Sequence, residues 1–288
     1  MSEISTARFS KKQERFGLVC VFMSAVLFSI GGLFMKNIPW SSFAINGGRN
    51  LISVTMIGIY LIVTKHRLRF NLPIFVGAIS TAATSTLYAF ANKLTTAANA
   101  IVLQFTAPVF IILLMWMIFG EKPKKLDIIT CVTVFAGIAC FFIDSLSAGG
   151  MLGNLLAVIS GVSYAGVFML NSSKRGDPLS SVFFGHLTCA LMGSPFIFLE
   201  TDFSAAAVGS VVILGIFQLG MAYLLLTYGI KFVSPVAASL ISGIEPILNP
   251  VWVAIFNGEL ISPLSMVGAV IVIVSIVAYN VIKAKLSK

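Results

Sequence analysis

Glu245 is the residue of this chain best suited to chemistry. It stands in the middle of an apolar run, residues 235–257, where a charge costs about 2.5–3.5 kcal/mol on insertion scales. A carboxyl there must face a polar cavity or carry a proton, so it can trade protons or hold a cation. Ser242, Glu245, Asn249 and Trp252 follow at i, i+3, i+7 and i+10, which puts them on one helical face. The plainer alternative is a buried hydrogen bond from Glu245 that locks helices together, with Pro246 and Pro250 bending the helix.

Other polar side chains recur at membrane depth. Residues Thr81, Thr84, Ser85, Tyr88 and Asn92 form a stripe at helical spacing. Hydroxyl packing between helices explains much of such a stripe, but Tyr88 is large enough to reach a ligand. Tyr164, Gln218 and Tyr223 are further candidates, and Phe28 and Phe105 offer planar surfaces for an apolar group. Arg49 lies beside Asn46. Either it snorkels to the near surface, anchors the fold or forms an internal salt bridge, or it points inward and holds a carboxylate. His186 is a possible proton relay or a structural hydrogen-bonder. None of these groups forms a nucleophile–base pair or a cluster with metal-ligand spacing, so no catalytic residue, metal or other cofactor is expected. The four cysteines, Cys20, Cys131, Cys140 and Cys189, read as small packing residues.

The elements that carry these residues follow from composition. The 288-residue chain is 58% hydrophobic and 10% charged, with a mean hydropathy of +1.01; soluble domains carry about 25% charged residues. Ten apolar spans are predicted, at 16–35, 44–64, 71–91, 98–119, 127–144, 151–170, 180–199, 206–230, 235–257 and 263–283. Each is near the ~20 residues that cross a bilayer. The basic flank before the first span lacks a cleavage site, so that span is expected to remain as a helix. The loops are too short for a catalytic domain, and no phosphate-binding glycine loop is present.

The net charge of +9 has a sided distribution. With the N-terminus in the cytoplasm, all of the 19 basic residues except Lys36, Arg49 and Lys93 fall inside. This is the positive-inside asymmetry, and it predicts an inner-membrane protein with both termini cytoplasmic. The charge orients the chain and needs no nucleic-acid partner.

The chain also repeats itself. At an offset of 138, Lys93 meets Lys231, Pro108 meets Pro246, Gly120 meets Gly258 and Glu121 meets Glu259. At 136, Gly17 meets Gly153, Ser24 meets Ser160 and Phe28 meets Tyr164. The predicted units are a tail (1–15), a first five-helix repeat (16–144), a linker (145–150) and a second repeat (151–288) with a short cytoplasmic tail. Five is odd, so the second unit enters from the opposite face, which makes an all-α protein of two inverted five-helix repeats. Such duplication is a common plan of secondary transporters, whose site lies between the repeats. Glu245 has no acidic counterpart in the first repeat, and Gln104 is its neutral neighbour across the pseudo-symmetry. The paired Gly-Glu motifs, Gly120-Glu121 and Gly258-Glu259, read as helix ends whose glutamate accepts from the start of the next helix.

The ten spans and the Pro-to-Gly-Glu pattern in each half resemble the EamA family of the drug/metabolite transporter superfamily. The resemblance implies four helices of each half around a central cavity, with the fifth and tenth peripheral. It also implies a small-molecule substrate moved by alternating access, without choosing the substrate. Joined to Glu245 and Arg49 as ammonium and carboxylate contacts, it favours export of an amino acid or related zwitterion, with protons as a possible partner. The alternative is proton-independent exchange, or facilitated uptake, of a neutral or cationic compound. The oligomeric state is open.

Overall fold

The computed structural model describes residues 10–120, 122–148, 150–171, 176–230, 232–233 and 241–286. Expectations placed on Arg8, Glu121, Lys174, Arg175, Lys231, Pro235 and Lys288 lie outside these residues. The chain is an all-helical membrane protein of ten spans arranged as two inverted five-helix repeats.

Each span begins where local chemistry allows it. Ser10 caps the first helix in a reciprocal box with Gln13, and Ser41, Asn71, Thr96 and Ser204 each accept a backbone N–H of the helix that follows. Such caps contribute about 1 kcal/mol apiece. Seven described helices have the length and apolarity to cross a membrane. The second span, Ser42–Val63, carries Asn46, Arg49 and Asn50 on its buried face, so its polarity serves the interior.

Several spans expected to be continuous are broken. The first turns at Ile30 between Lys11–Ser29 and Gly31–Lys36. The fourth breaks at Phe105 and Thr106 between Ala97–Gln104 and Ala107–Phe119. The ninth is broken just before Glu245–Asn257, with Pro246 in the first turn. Proline lacks an N–H and suits the first turn of a helix, so Pro108 and Pro246 each restart a helix, the latter where one alternative expected a bend. The eighth, Ala205–Gly229, passes through a π-helical stretch at Leu214–Met221. The fifth helix runs on to Ala148, into the segment expected to be a linker.

The repeats interlock. The first span packs on the end of the eighth and the sixth on the third, while the second packs on the seventh. The matched glycines make the equivalent contacts: a Cβ on Gly17 would lie 2.7 Å from Val233 and 3.0 Å from the Gly229 carbonyl, and one on Gly153 would lie 2.6 Å from the backbone of Leu94. Ser24 and Ser160 are both buried. The fifth and tenth spans pack chiefly on each other, backbone to backbone at Gly137 and Gly268, and stand outside the central group.

The two ends of the bundle are fastened differently. At one end, Lys36 Nζ lies 3.1 Å from Glu259 Oε2 and donates to the Thr95 carbonyl at 2.8 Å. Glu259 Oε1 accepts from Ala97 N at 2.6 Å, so this glutamate caps the start of the fourth span rather than the next helix as expected. Lys93 donates to the Ile38 carbonyl beside them. At the other end, His66 Nε2 meets Asp177 Oδ2 at 2.8 Å, and Arg69 N donates to Ser180 Oγ at 3.1 Å. Partial burial opposes the charge on Asp177. Hydrogen bonds from Ser180 and His66 nevertheless hold its carboxyl below the usual carboxylate range.

Candidate functional site

The breaks in the fourth and ninth spans flank a cavity of about 40 Å³ between the repeats, room for a few water molecules. Its walls are Phe28, Arg49, Thr84, Ser85, Tyr88, Gln104, Tyr164, Gln218, Leu219, Tyr223 and Glu245. They come from both repeats and from neither the fifth nor the tenth span.

Glu245 is the first residue of its half-helix, where free N–H groups and the helix dipole favour an anion. It has no hydrogen bond or ion pair among the described residues. At the other break Gln104, which matches Ser242 across the repeat, donates to Ser160 Oγ at 2.6 Å. Tyr223 meets Phe28 edge-on, with ring centres 5.0 Å apart, and meets His186 in the same way at 4.9 Å.

Arg49 overturns the snorkelling expectation. It is 1% exposed and its terminal nitrogens turn inward. Nη1 donates to Gln218 Oε1 at 3.3 Å, and Nη2 donates to Asn46 Oδ1 at 3.0 Å and to the Ser85 carbonyl at 2.9 Å. Hydropathy sets the depth of a residue but not its rotation, and the acceptors that hold Arg49 come from the second, third and eighth spans. No carboxylate pairs with it among the described residues, and its Nε is buried without an acceptor. The guanidinium and the Glu245 carboxyl group therefore face one cavity without forming an ion pair.

The remaining candidates stand behind these walls. Asn46 accepts from Arg49, Asn50 and Ser85 and donates to Thr86, which makes it a support for the guanidinium. His186 is buried with Nδ1 2.8 Å from Ser53 Oγ, and its Nε2 is buried without a partner among the described residues. Trp252 Nε1 donates to Ser29 Oγ at 3.0 Å, tying the ninth span to the first. Asn249 is buried against Gly32, where an added Cβ would lie 2.6 Å from its Oδ1; neither of its amide atoms has a hydrogen-bond partner among the described residues. Ser242 is half-buried in the turn of chain before the break and does not line the cavity. Phe105 packs on the apolar core instead. Leu219 is a wall residue with no sequence signal, since one leucine in an apolar span is like any other. Thr84 and Ser85 belong to the polar stripe noted above.

Comparison with other proteins agrees with this architecture. The EamA-like transporter family matches residues 15–143 and again residues 151–281. An uncharacterized transporter of Archaeoglobus fulgidus is 24% identical over 273 residues, covering 91% of this chain and 95% of its own. The uncharacterized transporter YwfM of Bacillus subtilis is 25% identical over 215 residues and covers 72% of each chain. A solved crystal structure superposes with a TM-score of 0.65 at 19% identity, covering 96% of this chain and 99% of that one, a likeness of fold.

Proposed function

The chain belongs to the EamA-like transporter family, and from that premise we propose a secondary active carrier that exports a small zwitterion, an amino acid or close relative, by alternating access. The observation that carries this reading is the unpaired Glu245 carboxylate in a cavity that also contains Arg49 and three tyrosines. A substrate ammonium meets Glu245, and Tyr88, Tyr164 and Tyr223 supply hydroxyls and π faces. The substrate carboxylate approaches the Arg49 side of the cavity. Glu245 holds either a proton or the ammonium, which couples inward proton movement to outward substrate movement. The 40 Å³ cavity admits water, so substrate enters when the repeats rock apart. The basic loops support a cell-membrane orientation with both termini in the cytoplasm.

A second reading rests on Arg49, whose terminal nitrogens already donate to Gln218, Asn46 and Ser85. If they stay so engaged, Glu245 and the aromatic walls select a cationic compound, moved by proton-independent exchange.

Thermal unfolding against amino acids, nucleobases, vitamins and cationic drugs separates the two, with Glu245→Gln in parallel. A ligand of the folded state raises stability by RT ln(1 + [L]/Kd). Stabilisation by amino acids that is lost in Glu245→Gln supports the first reading, and stabilisation by organic cations alone supports the second. Stabilisation that persists in Glu245→Gln removes this residue from the site.

A further inference from the structure

The second span ends in a turn that is usually completed by glycine. Lys65 N donates to the Ile62 carbonyl at 3.2 Å and His66 N to the Leu61 carbonyl at 3.0 Å, the doubled bond pattern of a helix end with a left-handed residue. Here that residue is Lys65, at φ 54°, and it is the one non-glycine residue with positive φ among those described. A lysine pays a steric cost at this φ that glycine avoids. Strain of this kind points to a side chain with a task.

Lys65 stands at the mouth of a cavity of about 420 Å³ lined by Gly58, Leu61, Ile62, Leu68, Phe183 and His66. The floor is apolar. A Cβ on Gly58 would lie 3.6 Å from the Phe183 ring, so the missing side chain keeps the groove open. Ile62 in its lining is 78% exposed, as a residue facing hydrocarbon is. His66 is held by Asp177, whereas Lys65 has no acidic partner among the described residues. Arg67 and Arg69 follow on the same exposed loop, which Ser180 fixes through the Arg69 N–H. The groove thus joins an apolar trough in the membrane to an uncompensated cation at its surface.

We propose that this groove binds one anionic phospholipid from the adjoining leaflet, its phosphate on Lys65 and one acyl chain along Gly58, Leu61, Ile62 and Phe183. The charge selects the lipid. A phosphatidylcholine brings its own cation against the basic loop, whereas a phosphatidylglycerol brings net negative charge to it. The groove lies between the second span of one repeat and the seventh of the other. A bound lipid therefore reinforces the same junction as His66 and Asp177, at the end of the molecule opposite Lys36 and Glu259.

The test is thermal unfolding of the delipidated full chain in a neutral detergent with dioleoylphosphatidylglycerol, dioleoylphosphatidylcholine or glycerol 3-phosphate. Phosphatidylglycerol alone should raise Tm. Lys65→Gln should weaken its apparent affinity about tenfold, while Arg67→Gln, which removes the same charge outside the groove, should leave it unchanged. Lys65→Gly should raise the basal Tm by relieving the backbone and still lose the lipid response, so a folding defect is not mistaken for lost binding. Gly58→Leu, which fills the trough, should lose the response too. Equal stabilisation by phosphatidylcholine or by glycerol 3-phosphate, or an undiminished response in Lys65→Gln, overturns the proposal.

Discussion

In the fourth span the chain breaks after Gln104, restarts at Ala107-Pro108 and stops at Gly120 with φ 68°. In the ninth it breaks before Glu245, restarts at Glu245-Pro246 and stops at Gly258 with φ 67°. The backbones are the same and the chemistry is not. Gln104 is neutral and bonded to Ser160, Ala107 is buried and apolar, and Glu245, the match to Ala107, is an acid with no partner among the described residues. The two repeats share a helix break, and one carboxyl group makes the cavity between the breaks asymmetric. A symmetric site would hold two equal charges that repel, whereas this one sets a single anion opposite a single cation.

The most disruptive way to break the comparison is to restore the symmetry. Ala107→Glu puts a second acid at a buried apolar position, at a cost of about 2.5–3.5 kcal/mol on insertion scales. The expected outcome is a large fall in Tm or loss of monodisperse protein; wild-type stability would mean that the two breaks are interchangeable.

Arg49→Met should rank next. It leaves Gln218 Oε1 buried without its donor, at about 1–3 kcal/mol for an acceptor left unpaired, and takes one donor each from Asn46 Oδ1 and the Ser85 carbonyl. Arg49→Lys should recover only part, because an ammonium lacks the planar fork that reaches the second, third and eighth spans together. Chemical denaturation of the three proteins checks the order.

Gly120→Ala and Gly258→Ala sharpen the shared half of the comparison. A Cβ at either would meet no atom within 4 Å, so the cost is backbone strain alone, about 1–2 kcal/mol in each. Equal losses of Tm are expected; unequal losses would show that the hinges are not equivalent.

The smallest effect concerns the end fastened by His66 and Asp177. The Asp177 carboxyl is lowered in the folded state, so its contribution is fully present above the ordinary carboxylate value, roughly pH 4. It is lost as the pH falls through the lower folded value. Between pH 7 and 5 this group should leave Tm unchanged. Below roughly pH 4 the wild type should lose slightly more stability than Asp177→Asn, and identical acid profiles would remove the ion pair from the account.

Much of this architecture is legible from residue patterns. The matches of Gly17 with Gly153 and Phe28 with Tyr164 anticipate equivalent helix contacts and opposite walls of one cavity, because close packing needs small residues at fixed depths. The helix breaks are not legible, since a proline in an apolar run reads as a bend unless the lost hydrogen bonds can be followed. The rotation of Arg49 is hidden for a similar reason: besides Asn46, the acceptors that turn it inward are 36 and 169 residues away. The Lys36–Glu259 pair joins residues from opposite repeats, and no local spacing announces it.

The most direct test of the central claim is proton movement coupled to substrate flux. Purified protein in liposomes, loaded with the amino acid that stabilises it most, is followed with an internal pH dye under a proton gradient, beside Glu245→Gln. The account predicts gradient-driven substrate efflux with internal acidification in the wild type, and in Glu245→Gln no coupled acidification with any residual flux reduced to exchange. Acidification that accompanies substrate equally in Glu245→Gln would contradict it.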